Sequence, residues 1–244
     1  MRKNITLALI ILAMFVTPKC FAQFGGAVNV ALTGTTIERS TRLPVSVNVE
    51  AFDASNKRIT KAKSNAKDAS YFMAGLKAGQ TITIAVNDKK YLKVSFPFEL
   101  PNTSKYTEYS RDIMLVQKVK DNSVRMIVPA FEVGKSELRP GADFILEELL
   151  DILKKNSEIS FCIDVYPDNN LDKSINKILT TSRGEALRDY FVKNGVKAAS
   201  LAISSFDQVD SKNPPPTRKV AKGKKYIGSV YLRITDFVMD DNDE

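Results

Sequence analysis

The 244 residues of this sequence include no histidine and no tryptophan, so its candidate groups for chemistry are mainly carboxylates, arginine, lysine, tyrosine and hydroxyl groups. Without histidine there is no Ser-His-Asp or Cys-His catalytic pair and no zinc site built on imidazole. No pair of acids stands out as the couple that a glycosidase needs. A hydrolase would lack both a nucleophile with its base and an acid pair, so we expect a protein that is not an enzyme and needs no cofactor.

The N-terminus has the pattern of a cleavable signal peptide over residues 1–22. Two basic residues precede an apolar run from Ile5 to Val16, and Cys20-Phe21-Ala22 supplies small residues at the cleavage positions. A retained anchor is the alternative, but a spanning helix needs roughly twenty apolar residues. Lys19 does not fit a lipid-attachment motif. We therefore expect export as a free chain that begins at Gln23.

Export changes how the basic composition is interpreted. The full chain has a formal net charge of +8, and cleavage would remove three basic residues and no acid. The remaining excess lies in residues 23–117, whereas residues 118–244 are balanced. Such a small excess on an exported protein predicts a solvated surface and no nucleic-acid partner.

Cleavage also leaves Cys162 as the one cysteine of the chain, which excludes an intramolecular disulfide. The apolar neighbours of Cys162 predict a buried thiol, with a reactive thiol as the alternative.

Residues 23–117 have the pattern of short, half-buried β-strands. Side chains alternate at period two, and turn residues separate the runs. No helix of useful length is predicted here, so the pattern indicates a small antiparallel β-sandwich. The predicted strands are Val28–Leu32, Val45–Phe52, Thr81–Val86 and Leu92–Phe96.

Several motifs of this region occur together. Leu43-Pro44-Val45 precedes alternating valines, Ala69-Ser70-Tyr71-Phe72 follows, and Gly75-Leu76-Lys77-Ala78-Gly79 leads into a strand. This order resembles the carboxypeptidase regulatory-like β-sandwich, although Ala66-Lys67-Asp68-Ala69 departs from the turn usual in that family. The resemblance implies an accessory domain without catalytic activity.

The periodicity changes after a short polar linker, residues 118–124. Apolar residues recur at helical spacing from Pro140 to Lys155, including Phe144, and from Leu171 to Asn194, including Ile175. The order β-α-β-α-β-β over residues 125–238 predicts a two-layer domain with its helices on one sheet face, followed by an acidic tail, residues 239–244. The whole chain is expected to be α+β. The predicted strands of this part are Val124–Phe131, Ile159–Val165, Leu201–Phe206 and Tyr226–Ile234.

Three motifs follow one another in the second half. They are Phe131-x-x-Gly134-Lys135-Ser136-x-Leu138-x-Pro140, then Asp168, then Asn176-x-x-Leu179-Thr180-x-x-Arg183-Gly184. Asp168 and Arg183 are fifteen residues apart. This arrangement resembles the C-terminal domain of outer membrane protein A, which is shared with motor stator proteins and peptidoglycan-associated lipoproteins.

The resemblance implies non-covalent binding of peptidoglycan. Its stem peptide carries diaminopimelate, which ends in an ammonium and a carboxylate on one carbon. Asp168 would accept from the ammonium, and Arg183 would hold the carboxylate by two hydrogen bonds. Asn176 and Thr180 belong to the same motif, and Tyr166, which replaces the family's histidine, would pack on the apolar stem of the ligand.

Other interpretations of these residues stay open. Arg183 could pair with Asp189 or with a carboxylate at the sheet edge, and Asp168-Asn169-Asn170 is an ordinary turn sequence. The family's late Asn-Arg-Arg-Val-Glu appears as Ile227-Gly228-Ser229-Val230-Tyr231, so an arginine that lines the family pocket is missing.

Two functions are therefore considered. The first is a periplasmic, outer-membrane-associated adaptor whose C-terminal domain binds peptidoglycan and whose sandwich binds an outer-membrane or envelope protein complex. The second is a scaffold subunit of an envelope assembly whose C-terminal domain no longer binds the ligand. The combination of the two domains resembles envelope proteins of the Bacteroidota.

Overall fold

The computed structural model describes residues 28–216 and 225–237. In these residues the chain is α+β, as expected: two four-stranded sheets come first, and a domain of two helices on a third four-stranded sheet follows. The expected signal peptide and acidic tail lie outside the described residues. In the part that the structure describes, no helix is long and apolar enough to cross a membrane.

The first domain is a β-sandwich of eight strands. One sheet has the order β4-β1-β7, with β8 also paired to β1, and the other has the order β3-β2-β5-β6. β1 runs antiparallel to β4 but parallel to β7 and β8, so the first sheet is mixed. The strands are β1 (Asn29–Glu38), β2 (Asn48–Phe52), β3 (Arg58–Lys63), β4 (Ser70–Lys77), β5 (Thr81–Val86), β6 (Val94–Glu99), β7 (Glu108–Ser110) and β8 (Ile113–Leu115).

Four strands of the sandwich were not predicted, namely β3, β4, β7 and β8, and β3 and β4 were missed for different reasons. Lysine and arginine interrupt the apolar pattern of β3, as is common in edge strands. In β4, Gly75 has a φ of 76°, and the pairing with β1 shifts register nearby, which breaks the period of two. Alternate side chains of both sheets nevertheless point inward and form one buried core, which includes Val30, Val49 and Ile84.

The second domain has the predicted order β-α-β-α-β-β. Its sheet order is β11-β10-β12-β9, with β10 parallel to β11 and antiparallel to β12. Both helices place their buried residues in one cluster with Phe161 and Ile163 of β10, so they cover the same sheet face. The elements are β9 (Ser123–Arg125), α1 (Ala142–Lys155), β10 (Ile159–Val165), α2 (Lys173–Lys193), β11 (Leu201–Ser205) and β12 (Val230–Phe237).

Some local expectations for this domain are wrong. The strand predicted to extend to Phe131 ends at Arg125, before Pro129, which has no N–H for a ladder. Phe144 and Ile175 are 85% and 64% exposed, although both belong to the apolar residues whose helical spacing predicted the two helices. The buried face of α2 instead carries polar side chains, namely Asn176, Thr180 and Arg183, together with Gly184, Leu187 and Phe191.

Candidate functional site

Helix α2 places three of the candidate side chains on one face. Asn176, Thr180 and Arg183 occupy positions i, i+4 and i+7, which lie above one another on a helix. The helix begins after Asp172, whose side chain accepts a hydrogen bond from the Ile175 N–H at 2.9 Å and caps the first turn. The sequence between β10 and α2 thereby directs this polar face toward the loops that follow β10 and β11.

Asp168 and Arg183 form a two-pronged ion pair. Arg183 Nη1 donates to Asp168 Oδ1 at 2.7 Å, and Arg183 Nη2 donates to Asp168 Oδ2 at 2.9 Å. Asp168 lies just after the end of β10, so the carboxylate at the sheet edge is the partner of Arg183, and the alternative pairing with Asp189 is wrong. Two parallel hydrogen bonds between opposite charges fix the planes of both groups.

Backbone groups complete the hydrogen bonding of both side chains. Arg183 Nε donates to the carbonyl of Lys135 at 2.8 Å, and Arg183 Nη2 donates to that of Glu132 at 3.0 Å. Asp168 accepts from the N–H of Gly134 at 2.8 Å and from the N–H of Gly228 at 2.7 Å. The ion pair therefore joins the loop before α1 and the loop before β12 to the end of β10.

The ion pair is closed to solvent. Arg183 is 0% exposed and Asp168 8% exposed, and the guanidinium lies 5.1 Å from the ring centre of Phe131. Burial raises the pKa of Asp168, but hydrogen bonds from Arg183, Gly228 and Gly134 outweigh it and hold that pKa below its usual range. Asp168 is thus a charged carboxylate at neutral pH, and its four hydrogen bonds leave little acceptor capacity for a ligand.

Asn176 and Thr180 form a second cluster, which holds loops to the helix. Asn176 Nδ2 donates to the carbonyls of Asn169 at 2.6 Å and Asp207 at 3.1 Å. Thr180 Oγ1 lies 2.9 Å from the carbonyl oxygen of Phe206. Both side chains are buried. They hold the loops that follow β10 and β11 beside the ion pair.

Tyr166 lies in a third group, which is aromatic. Its ring stacks on Phe206 with 4.2 Å between centroids and 1° between planes, and it meets the edge of Tyr231 at 5.9 Å. The structure therefore brings Asp168 and Arg183 into contact, places Asn176 and Thr180 beside them, and gives Tyr166 aromatic partners within the protein.

Sequence reasoning missed the part of the site that is made of backbone. Gly134 and Gly228 contribute N–H groups and Glu132 and Lys135 contribute carbonyls. Gly134 and Lys135 belong to the first motif of the second half, but the motif does not show which backbone groups bind Asp168 and Arg183. A further signal was Gly228 at the position of a family arginine, because a glycine in place of a long side chain indicates close approach of two backbones.

Next to Asn176 and Thr180 an open groove of about 650 Å³ runs along the start of α2. It is lined by Lys173, Ser174, Lys177, Phe206 and Asp207, with Ile178 and Ser205. Lys177 Nζ donates to the carbonyl of Ser205 at 2.6 Å.

In the described part of the chain, no group of three or more cysteine or acidic side chains could hold a metal ion.

The second domain is a two-layer α/β domain with a buried Asp–Arg pair between the central strand and the second helix. Residues 130–224 match the family model described as the OmpA family. The C-terminal part of the chain is therefore an OmpA-family domain, as the motifs predicted.

No curated protein sequence matches the chain. Among solved structures, a putative MotB like protein from Desulfovibrio vulgaris is 18% identical, with a TM-score of 0.34, over 64% of this chain and 75% of that one. The Bacillus anthracis TIE protein is 12% identical over 37% of this chain, with a TM-score of 0.30. A hydroxyquinol 1,2-dioxygenase from Pseudomonas putida DLL-E4 is 8% identical over 38% of this chain, with a TM-score of 0.29. The chain spans only 18% and 58% of the length of these last two proteins.

Proposed function

We propose that this protein is a non-enzymatic adaptor of the periplasm. Its OmpA-family domain holds peptidoglycan non-covalently through the diaminopimelate of the stem peptide, and its sandwich binds an outer-membrane or envelope complex. The observation that carries the proposal is the ion pair of Asp168 and Arg183, placed where two loops, a strand end and a helix meet.

The ligand has the chemistry to replace each half of this ion pair. A carboxylate of diaminopimelate can accept the two hydrogen bonds that Arg183 now gives to Asp168, while the ammonium donates to Asp168. The internal ion pair is exchanged for two ion pairs with the ligand, so binding is reversible and needs no covalent step.

Access requires movement of the loop that covers the ion pair. The backbone of Glu132, Gly134 and Lys135 contacts both charged side chains, and Arg183 is fully buried. The ligand therefore binds a conformation in which this loop has opened, and the apparent affinity is reduced by the fraction of molecules that are open.

A second function has its own supporting observation. Asp168 already accepts four hydrogen bonds and Arg183 already donates four, so the ion pair can serve as a purely structural tie. The protein would then be a scaffold subunit of an envelope assembly, and its OmpA-family domain would make protein contacts without binding the stem peptide.

Sedimentation with purified sacculi tests the first proposal. We expect the mature protein to pellet with sacculi and Asp168→Asn to lose at least about tenfold in affinity, because one charge-assisted contact contributes about 1.5 kcal/mol or more. Asp164→Asn is the matched control, since Asp164 makes a similar two-pronged pair with Arg233 at 2.7 and 3.0 Å elsewhere in the domain. Circular dichroism must show that both variants are folded.

The outcomes separate the two functions. If the wild-type protein stays in the supernatant, the adaptor proposal fails and the scaffold remains. If Asp168→Asn pellets as well as Asp164→Asn does, the wall is bound elsewhere than at the ion pair. Release of soluble muropeptides in the same tube would show that the protein is an enzyme.

A further inference from the structure

The junction between the two domains is built on one buried side chain, Asn156. It follows the last residue of α1 and is 0% exposed. Its Oδ1 accepts from the N–H of Lys93 at 2.9 Å, and its Nδ2 donates to the carbonyl of Lys93 at 3.1 Å and to that of Ile152 at 2.8 Å. A side-chain amide that binds both backbone groups of one residue takes the place of a neighbouring strand.

The same edge of the sandwich is closed further along the chain. β6 is the last strand in the order β3-β2-β5-β6, and Lys93 directly precedes it. Lys155 Nζ donates to the carbonyl of Ser95 at 2.8 Å. Pro97, two residues on, has no N–H to offer. From Lys93 to Pro97 the edge therefore presents few free groups to another strand.

Apolar and ionic contacts support these hydrogen bonds. Leu92 and Val116, which come from the sandwich side, belong to the buried apolar cluster of the C-terminal domain. Lys93 pairs with Glu158 at 2.8 Å, and Arg39 pairs with Glu148 at 2.9 Å. Separating the domains would expose the apolar groups and remove both hydrogen bonds between Asn156 and the backbone of Lys93.

We infer that the sandwich and the OmpA-family domain form one rigid unit, in which the C-terminal domain closes the β6 edge of the sandwich. Domains joined by a short linker usually move relative to one another unless a well-packed interface holds them. A partner bound to this sandwich is thus held at a fixed orientation to the OmpA-family domain, and no partner strand adds at β6. The inference holds whether or not the protein binds the wall.

Hydrogen exchange of the mature protein, with calorimetry, tests the inference. In the wild type we expect a single unfolding transition and exchange of the Lys93 amide as slow as that of β5 amides. Asn156→Ala should speed exchange at Lys93 at least tenfold, separate the two unfolding transitions and cause association that depends on concentration. Asn194→Ala is the matched control, because Asn194 follows α2 and donates to the carbonyl of Tyr190, four residues back, at 2.8 Å. It should leave exchange at Lys93 unchanged.

Two results would overturn the inference. One is equal exchange at Lys93 in Asn156→Ala and Asn194→Ala. The other needs no variant: separate unfolding of the two domains in the wild type, or a Lys93 amide that exchanges as fast as those of exposed loops, rules out a rigid junction even if Asn156→Ala does not fold.

Discussion

Gly228 lies so close to the backbone of Tyr166 that a Cβ on it would stand 1.8 Å from the Tyr166 carbonyl oxygen. This approach brings the Gly228 N–H to Asp168, where it donates at 2.7 Å. A family arginine at this position could not adopt the same backbone contact. The glycine at position 228 therefore allows the loop before β12 to bind Asp168 and to help close the ion pair.

We expect Gly228→Ala to destabilise the protein by about 2–4 kcal/mol, because the backbone must shift and the hydrogen bond to Asp168 weakens. Urea unfolding measures the change. Gly75→Ala is the control: its Cβ would meet no atom within 4 Å, so it carries only the cost of a positive φ, about 1 kcal/mol. Equal losses in the two variants would contradict the close approach.

Removing one member of the buried ion pair should be costly. Asp168→Ala leaves the charge of Arg183 buried without its partner, and we expect a loss of about 3–5 kcal/mol in the free energy of unfolding. Arg39→Ala breaks an ion pair at the surface, with Glu148 61% exposed, and should cost no more than about 1 kcal/mol. A small effect of Asp168→Ala in the same unfolding assay would show that the pair adds little to folding.

The turn after β1 should make the free energy of unfolding depend on pH in the acid range. Burial raises the pKa of Glu38, but hydrogen bonds from Thr41 and Ser40 outweigh it and lower that pKa from 4.5 to about 2. The folded pKa lies below the unfolded one, so this stabilisation is complete above about pH 4.5 and is lost as the pH falls toward 2.

Unfolding free energies measured between pH 6 and pH 2.5 test this dependence. Glu38→Gln should show a shallower decline than the wild type, because one carboxylate fewer takes up a proton on unfolding. Glu137→Gln, which changes an exposed glutamate, should follow the wild-type curve. Identical slopes in all three proteins would mean that Glu38 does not contribute.

Cys162 should be unreactive in the native protein. Its side chain is buried, and burial together with the negative charge of Asp164 raises the pKa of its thiol to about 11. In a chain that begins at Gln23, iodoacetamide should therefore not alkylate the Cys162 thiol at pH 8 until denaturant is added. Mass spectrometry measures the alkylated fraction. Rapid labelling under native conditions would favour the alternative of a reactive thiol.

The elements with strong periodicity were predictable from the sequence. β5, β10 and α1 lie at or within a few residues of the predicted positions, because each carries an apolar pattern that matches one geometry. The predicted bounds of α2 are also within two residues, although its buried face is partly polar. β3 and β4 escaped prediction because edge charges and a bulge at Gly75 disrupt that pattern. The outward positions of Phe144 and Ile175 depend on which helix face meets the sheet, which local spacing does not determine.

The candidate site, too, was predictable from the sequence only in part. The order and spacing of motifs identified Asp168 and Arg183 and the OmpA-family fold, and the absence of histidine already argued against catalysis. Only the tertiary structure decided that the two charges bind each other, that amides of Gly134 and Gly228 complete the site, and that Asn156 joins the domains. The physical reason is that hydrogen-bond saturation and burial depend on backbone segments far apart in the chain, and apart from Gly228 the side-chain types give little sign of which segments meet.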